Sequence, residues 1–230
     1  MALKIDHSRI NAAIAQAETA TSGEITCVVK GKALDYGETP LGWAAASALI
    51  LPLVLGALGF LPHQWLAPAL NAVLGWNGIG VAGDFPAWEI LLAYAALQIL
   101  VFALVYAVVN FTGLKLALTP KATRRKKAHE KAMEQFYARG LHLTRGHTGV
   151  MIFCALEERF VEVIADEGIF TKVDKSTWNN TVNVLLKNIK GGDLTTGFVE
   201  AVAACGVALA QHFPPDADNP NELPDVLIEI

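Results

Sequence analysis

Basic side chains are missing from the middle of this 230-residue sequence: residues 33–114 contain no lysine and no arginine. Such a gap excludes an ordinary solvated helix-and-loop surface, which intersperses both signs of charge. Cysteine is scarce too. Cys27, Cys154 and Cys205 each sit in an apolar run and lack pair spacing, which excludes a disulfide framework and reads as reduced core residues, consistent with a cytosolic soluble part. The histidines have no His-x-x-x-His spacing, and no phosphate-cradling P-loop or Ser-His-Asp context is present. The net charge of −4 gives no reason to expect nucleic acid. No signal peptide is expected, because the first 40 residues are mixed in charge and the first apolar run is too long for a cleaved one.

What fills the charge gap is apolar. Hydrophobic residues make up 53% of the chain against 17% charged, and the mean hydropathy is +0.38. Leu41 to Leu61 (LGWAAASALILPLVLGALGFL) and Ile90 to Val109 (ILLAYAALQILVFALVYAVV) carry no formal charge. At about 1.5 Å per residue each matches the roughly 30 Å hydrocarbon thickness of a bilayer. A buried helical pair is the alternative, but too little chain is left to cover it. The expectation is a transmembrane hairpin over 41–112 with an outer loop at 62–89. Lys30 and Lys32 precede it, and Lys115, Lys121, Arg124, Arg125, Lys126 and Lys127 follow it, so the positive-inside rule places both termini in the cytoplasm of a plasma or inner membrane. Trp43, Trp65, Trp76 and Trp88 fall near the expected interfaces. Gly42 and Ala46 form a small-xxx-small pair suited to close helix approach, and Gln98 suits a hydrogen bond across the helices to Ser47. In the loop, Gly78-Ile79-Gly80-Val81-Ala82-Gly83-Asp84 matches the dinucleotide fingerprint letter for letter. No strand precedes it and no helix N-terminus receives a pyrophosphate, so no dinucleotide is expected.

Outside the hairpin the patterns are those of a globular domain. Asp6 or Ser8 caps a first helix with Ile10, Ile14 and Ala17 on one face, broken by Thr21-Ser22-Gly23. A strand follows over Glu24 to Val29, with Ile25, Cys27 and Val29 on one face. Beyond the hairpin, Lys121 to Arg139 reads as a helix turning Ala128, Ala132, Met133 and Phe136 inward, its basic first half suited to anionic headgroups. Thr148 to Ala155 and Phe160 to Ala165 read as a β-hairpin around Glu157-Glu158-Arg159. A helix capped by Asp174 or Ser176 carries Trp178, Val182, Leu185 and Ile189 on one face, and a last helix spans about Thr195 to His212. The tail 214–230 is acidic and reads as extended and mobile, with Asn221 to Asp225 able to dock. The domain thus falls into 1–40 and 113–213, with the hairpin between.

Gly149-Val150-Met151-Ile152-Phe153, Glu158-Arg159-Phe160-Val161-Glu162 and Ile164-Ala165-Asp166 with Gly168-Ile169 together resemble the TPM domain. Ser22-Gly23-Glu24-Ile25, the Gly140-Leu141…Thr144 stretch and Asn221-Glu222-Leu223-Pro224-Asp225 fit the family's membrane-bound branch. The resemblance covers residues 5–30 and 123–225. It implies an α/β fold, a small mixed sheet sandwiched by helices, here interrupted by the inserted two-helix transmembrane hairpin. The family's commoner layout, a lone domain with a signal peptide or one anchor, differs from this one. Its members are described as acid phosphatases, as repair or assembly factors for photosynthetic complexes, or as a receptor accessory subunit, and fold does not choose among these.

Two functions follow as expectations. One is a membrane-tethered accessory or assembly and maintenance factor acting on other integral membrane proteins. The other is a weak metal-dependent acid phosphatase, since phosphoester hydrolysis needs a metal or cations to stabilise charge. Glu24 at the start of a strand, Asp166 at the end of another and His129 on the basic helix are the candidate ligands for a divalent metal, with turn capping as the alternative role of Asp166. His142 and His147 flank a nearby loop.

Overall fold

The computed structural model describes residues 5–60, 72, 87–215 and 218–230. In chain order the elements are α1 (His7–Glu18), β1 (Glu24–Lys30), α2 (Glu38–Ala57), α3 (Ala87–Phe111), α4 (Leu114–Leu118), α5 (Lys121–Ala138), two short 3-10 turns (Leu141–Leu143 and Arg145–His147), β2 (Gly149–Ala155), β3 (Phe160–Ala165), α6 (Glu167–Phe170), α7 (Lys175–Gly191), α8 (Leu194–His212) and β4 (Leu227–Glu229). They divide into two compact units, Met1–Leu34 with Lys121–Ile230, and Asp35–Pro120.

The first unit is built on a four-stranded mixed sheet in the order β3-β2-β1-β4. β1 runs parallel to β2 and β4, whereas β2 and β3 are antiparallel. The sequence of β2, GVMIFCA, has no polar residue because every position is buried, as expected of a central strand covered on both faces. On one face Ile25, Cys27 and Val29 of β1 join Val150, Ile152 and Cys154 of β2 against Ile10 and Ile14 of α1, Leu185 of α7 and Phe198, Val202 and Leu209 of α8. On the other, Val28, Met151 and Phe153 pack against Ala132 and Phe136 of α5. The expected mixed α/β sheet domain is therefore present.

The C-terminal tail docks over more of its length than the Asn221 to Asp225 stretch that the sequence offered for docking. Residues 218–230 dock rather than hang free: Asn219 Nδ2 donates to the Thr21 carbonyl, Leu227 N to Asn11 Oδ1, and Ile230 N to the Val29 carbonyl. Side chains take part as well: Leu227 is buried in the core on one face of the sheet, and Leu223, Ile228 and Ile230 pack against the cluster on the other.

The second unit packs α2 against α3 along a narrow seam. Ala44, Ala48 and Pro52 of α2 are buried, as are Ala93, Leu97 and Val101 of α3, each set at a spacing of four. The expected small pair Gly42 and Ala46 is exposed instead. Two positions along a helix is about 200° of rotation, so a seam through Ala44 and Ala48 turns that pair away. Gln98 is half-buried, and among the described residues it has no hydrogen bond to Ser47. The Thr39 and Thr119 hydroxyls meet at 2.7 Å, and Trp43 Nε1 donates to the Leu118 carbonyl at 3.3 Å. Most large side chains face outward: Leu53 is 71% exposed, Ile99 70% and Phe111 82%.

Among the described residues three helical stretches are long and apolar enough to cross a membrane, Glu38–Ala57, Ile90–Phe111 and Leu194–His212. The third differs in its surroundings, because ten of its residues are buried within the sheet-bearing unit. Most of the expected outer loop 62–89, with Trp65, Trp76 and the glycine-rich stretch 78–84, lies outside the described residues.

Candidate functional site at one end of the sheet

Strand register gathers polar groups at the end where β1 and β2 begin and β3 stops. Glu24 pairs with Gly149, and Asp166 N donates to the Gly149 carbonyl from the other side at 2.9 Å. Glu24 and Asp166 therefore flank one strand, with backbones about 10 Å apart at two strand spacings. The 3-10 turns lie over this end. A Cβ on Gly149 would overlap the Leu141 carbonyl, and one on Gly168 would overlap the carbonyls of Gly146 and His147. Glycine at these positions lets the turns approach closely.

The carboxylate of Glu24 is a clamp for the tail. One oxygen accepts from Glu222 N at 3.2 Å and the other from Leu223 N at 3.1 Å. Burial raises its pKa, while those two N–H groups pull the other way. Beside it, Glu18 at the end of α1 accepts a 2.6 Å hydrogen bond from Ile25 N. Burial pushes the Glu18 carboxyl up to about 9, assisted by the charge of Glu24 and a hydrogen bond with Asp225. At neutral pH Glu18 is protonated, so the cluster of Glu18, Glu24 and Asp225 carries one negative charge fewer than it has carboxyl groups to supply.

Asp166 has a separate role. One oxygen caps α6 by accepting from Glu167 N at 2.9 Å, and the other lies 3.0 Å from Nδ1 of His147. The aspartate side chain is 13% exposed and the imidazole 64%, so the pair presents the far edge of the ring to solvent. His147 adopts a left-handed backbone conformation with φ 55°. An oriented imidazole of this kind can carry a proton. It has no nucleophile: among the described residues no serine, threonine or cysteine side chain is hydrogen-bonded to it. The Thr148 hydroxyl instead faces the carbonyls of Ser22 and Arg145. Burial raises all three thiols, Cys154 and Cys205 to about 12, and keeps them protonated.

The expected metal centre does not assemble. His129 sits on the α5–β3 flank, where Nδ1 is 2.9 Å from Glu162, away from Glu24 and Asp166. Both oxygens of Glu24 are taken by backbone N–H groups, and those of Asp166 by Glu167 N and His147. Among the described residues no cluster of three or more His, Cys, Asp or Glu is placed to hold a metal ion. The donor set therefore does not fit a divalent cation.

Sequence reasoning singled out Glu24 and Asp166 from their strand-end positions but missed Glu18 and the partner of His147. Glu18 reads as an ordinary polar residue in a last helical turn. Only the Thr21-Ser22-Gly23 turn, folding α1 back onto β1, places it against Ile25. His147 and Asp166 are 19 positions apart and meet through tertiary packing.

No family model matches the sequence, and no curated protein matches it either. The solved NMR structure of BA42 protein from the psychrophilic bacteria Bizionia argentinensis sp. nov. is similar to this chain at 18% identity and a TM-score of 0.54. The alignment covers 97% of this chain and 92% of that one. At that identity the likeness shows the fold alone, and the mixed α/β sheet domain is a fold shared with that protein.

Proposed function

We propose that this chain is a TPM-like domain anchored by a two-span transmembrane hairpin, both termini cytoplasmic, and that it works as an accessory factor in the assembly or maintenance of other integral membrane proteins. The observation that carries the reading is the outward apolar surface of α2 and α3. Unpartnered side chains such as Leu49, Leu53, Leu91, Ile99 and Leu104 form a surface far more apolar than water-soluble proteins expose, and lipid is its natural solvent. Crossing number follows from chain order. β1 precedes these helices and β2 follows them, yet the two strands pair residue for residue, so any crossings between them must be even in number. Leu194–His212 is occupied in the core of the sheet domain, which among the described residues leaves α2 and α3 as the pair. At the sheet end Glu24 binds backbone N–H groups and Asp166 caps a helix and faces His147, roles that support the fold. The test is purification of the full chain from its native membrane under mild detergent. A defined membrane protein complex should copurify, and should be lost when the hairpin is replaced by an unrelated two-span hairpin of equal length. Retention of the complex with the foreign hairpin would assign partner choice to the soluble domain, and absence of any complex in both cases would overturn the accessory reading.

A further inference from the structure

The opposite end of the sheet, where β1 and β2 stop and β3 begins, is basic. A cavity of about 410 Å³ opens there, lined by Lys121, Arg124 and Arg125 from the first turns of α5 and by Glu158, Arg159 and Phe160 from the β2–β3 turn. Four cations face one carboxylate. Glu158 is engaged locally, accepting a 2.7 Å hydrogen bond from Leu34 N.

Three features set these cations apart from the other basic residues of α5. First, Lys126 and Lys131 pair with Glu130 and Glu134 on their own helix, whereas among the described residues none of Lys121, Arg124, Arg125 and Arg159 has an ion-pair partner. Second, Nε of Arg124 is buried without a hydrogen-bond partner. A buried guanidinium donor left unmatched is costly, and an anion in the cavity would satisfy it. Third, Arg159 holds φ 50°, a left-handed conformation that glycine or asparagine adopts with less strain, so the turn carries a long cation at a position that disfavours one. The first turn of α5 adds its unpaired N–H groups to the same end and contains no acidic residue to offset them.

We propose that this cavity is a binding site for a phosphate monoester, with Arg124 and Arg159 as its principal ligands and Phe160 as a wall for the organic group that carries the phosphate. Guanidinium groups suit the planar, bidentate geometry of phosphate oxygens, and the cavity is of ligand size. The same chemistry comes from a soluble phosphoester or from the headgroup of an anionic lipid such as phosphatidic acid. The proposal stands independently of the accessory role.

The test uses the full chain in nanodiscs of zwitterionic lipid, titrated calorimetrically with phenyl phosphate, alongside a second preparation whose nanodiscs contain phosphatidic acid. Saturable single-site binding of phenyl phosphate is expected in the first, weakened at least about tenfold in the double variant Arg124→Gln, Arg159→Gln. The charge-matched control Lys126→Gln, Lys131→Gln should bind within about twofold of the parent, because these lysines pair with Glu130 and Glu134, lie outside the cavity lining and act on it only through screened solvent. If the headgroup is the source, phosphatidic acid in the disc blocks phenyl phosphate binding in the parent. If a soluble ester is the source, it does not. Circular dichroism checks that each variant keeps its fold, and Arg124→Lys serves as a milder replacement should the double variant lose it. Equal weakening in the control, or no saturable binding in either preparation, overturns the site.

Discussion

Glu18 holds a proton that the unfolded chain would give up. Its carboxyl titrates near 4.5 when solvated and at about 9 in the folded domain, the chief cause being burial. Between those values the folded state binds more protons than the unfolded one, so stability falls as pH rises through the window and levels off above about 9. The capping carboxylates Asp6, Asp174 and Asp193 act with the opposite sign. Each is lowered below 3.8 by hydrogen bonds it accepts, so their contribution is present above that value and is lost as pH falls. Glu18→Gln keeps an oxygen for Ile25 N and an N–H for Asp225 while removing the titration. Thermal melts from neutral pH to pH about 9 should show the parent losing stability and the variant holding level. An equal decline in both would mean that Glu18 is already ionised at neutral pH. None of this was visible in the sequence, where Glu18 is one of several polar residues before a turn. Its environment is created by Ile25 and by a tail some 200 positions away.

At the scale of elements, β4 is held to the sheet edge by its pairing with β1 and the burial of Leu227, and also by what precedes it. Glu24 takes the N–H groups of Glu222 and Leu223, and Arg145 N donates to Glu222 at 2.8 Å, so the chain is aimed before it reaches β1. Glu24→Ala would leave two backbone donors without their acceptor and cost about 1–3 kcal/mol. Hydrogen exchange should localise the effect: the amides of Leu227 and Ile230 exchange faster, while those of β2 keep their protection. Unchanged exchange in the tail would show that β4 docks without the clamp. The longer helices of the sheet unit were legible from apolar spacing of 3.6 residues, β1 from alternation and β2 from a short unbroken apolar run, whereas the short helices Leu114–Leu118 and Glu167–Phe170 left no such pattern. The tail was legible only in part: Asn221 to Asp225 reads as able to dock, but a three-residue strand is too short to show a period, and the carboxylate that holds Glu222 and Leu223 lies far away in sequence. The hairpin seam fell between these cases: the helices announced themselves, but near-uniform apolar composition gives no signal for which face of α2 meets α3.

For the whole molecule, the membrane topology is open to a direct measurement. Cys27, Cys154 and Cys205 are all buried, so an added surface thiol reports with little background. With both termini cytoplasmic, Asn77→Cys should react with an impermeant thiol reagent from the outer side of sealed cells and not in inverted vesicles. The reverse pattern would invert the orientation, and labelling from neither side would place the loop within the bilayer or the protein.

The order in which the ribosome releases this chain has a consequence of its own. Ser22 and Thr148 are hydrogen-bonded across 126 positions, and β1 has both of its sheet neighbours encoded downstream. At roughly 5–20 residues per second, β1 waits several seconds to tens of seconds after its synthesis before β2 exists. During that time Ile25, Cys27, Val28 and Val29 have no sheet to join, while the most apolar part of the chain is being made. The first strand made is thus the one that waits longest for a neighbour, and the nascent chain carries a sticky, unpaired segment through the interval in which the hairpin must find its solvent.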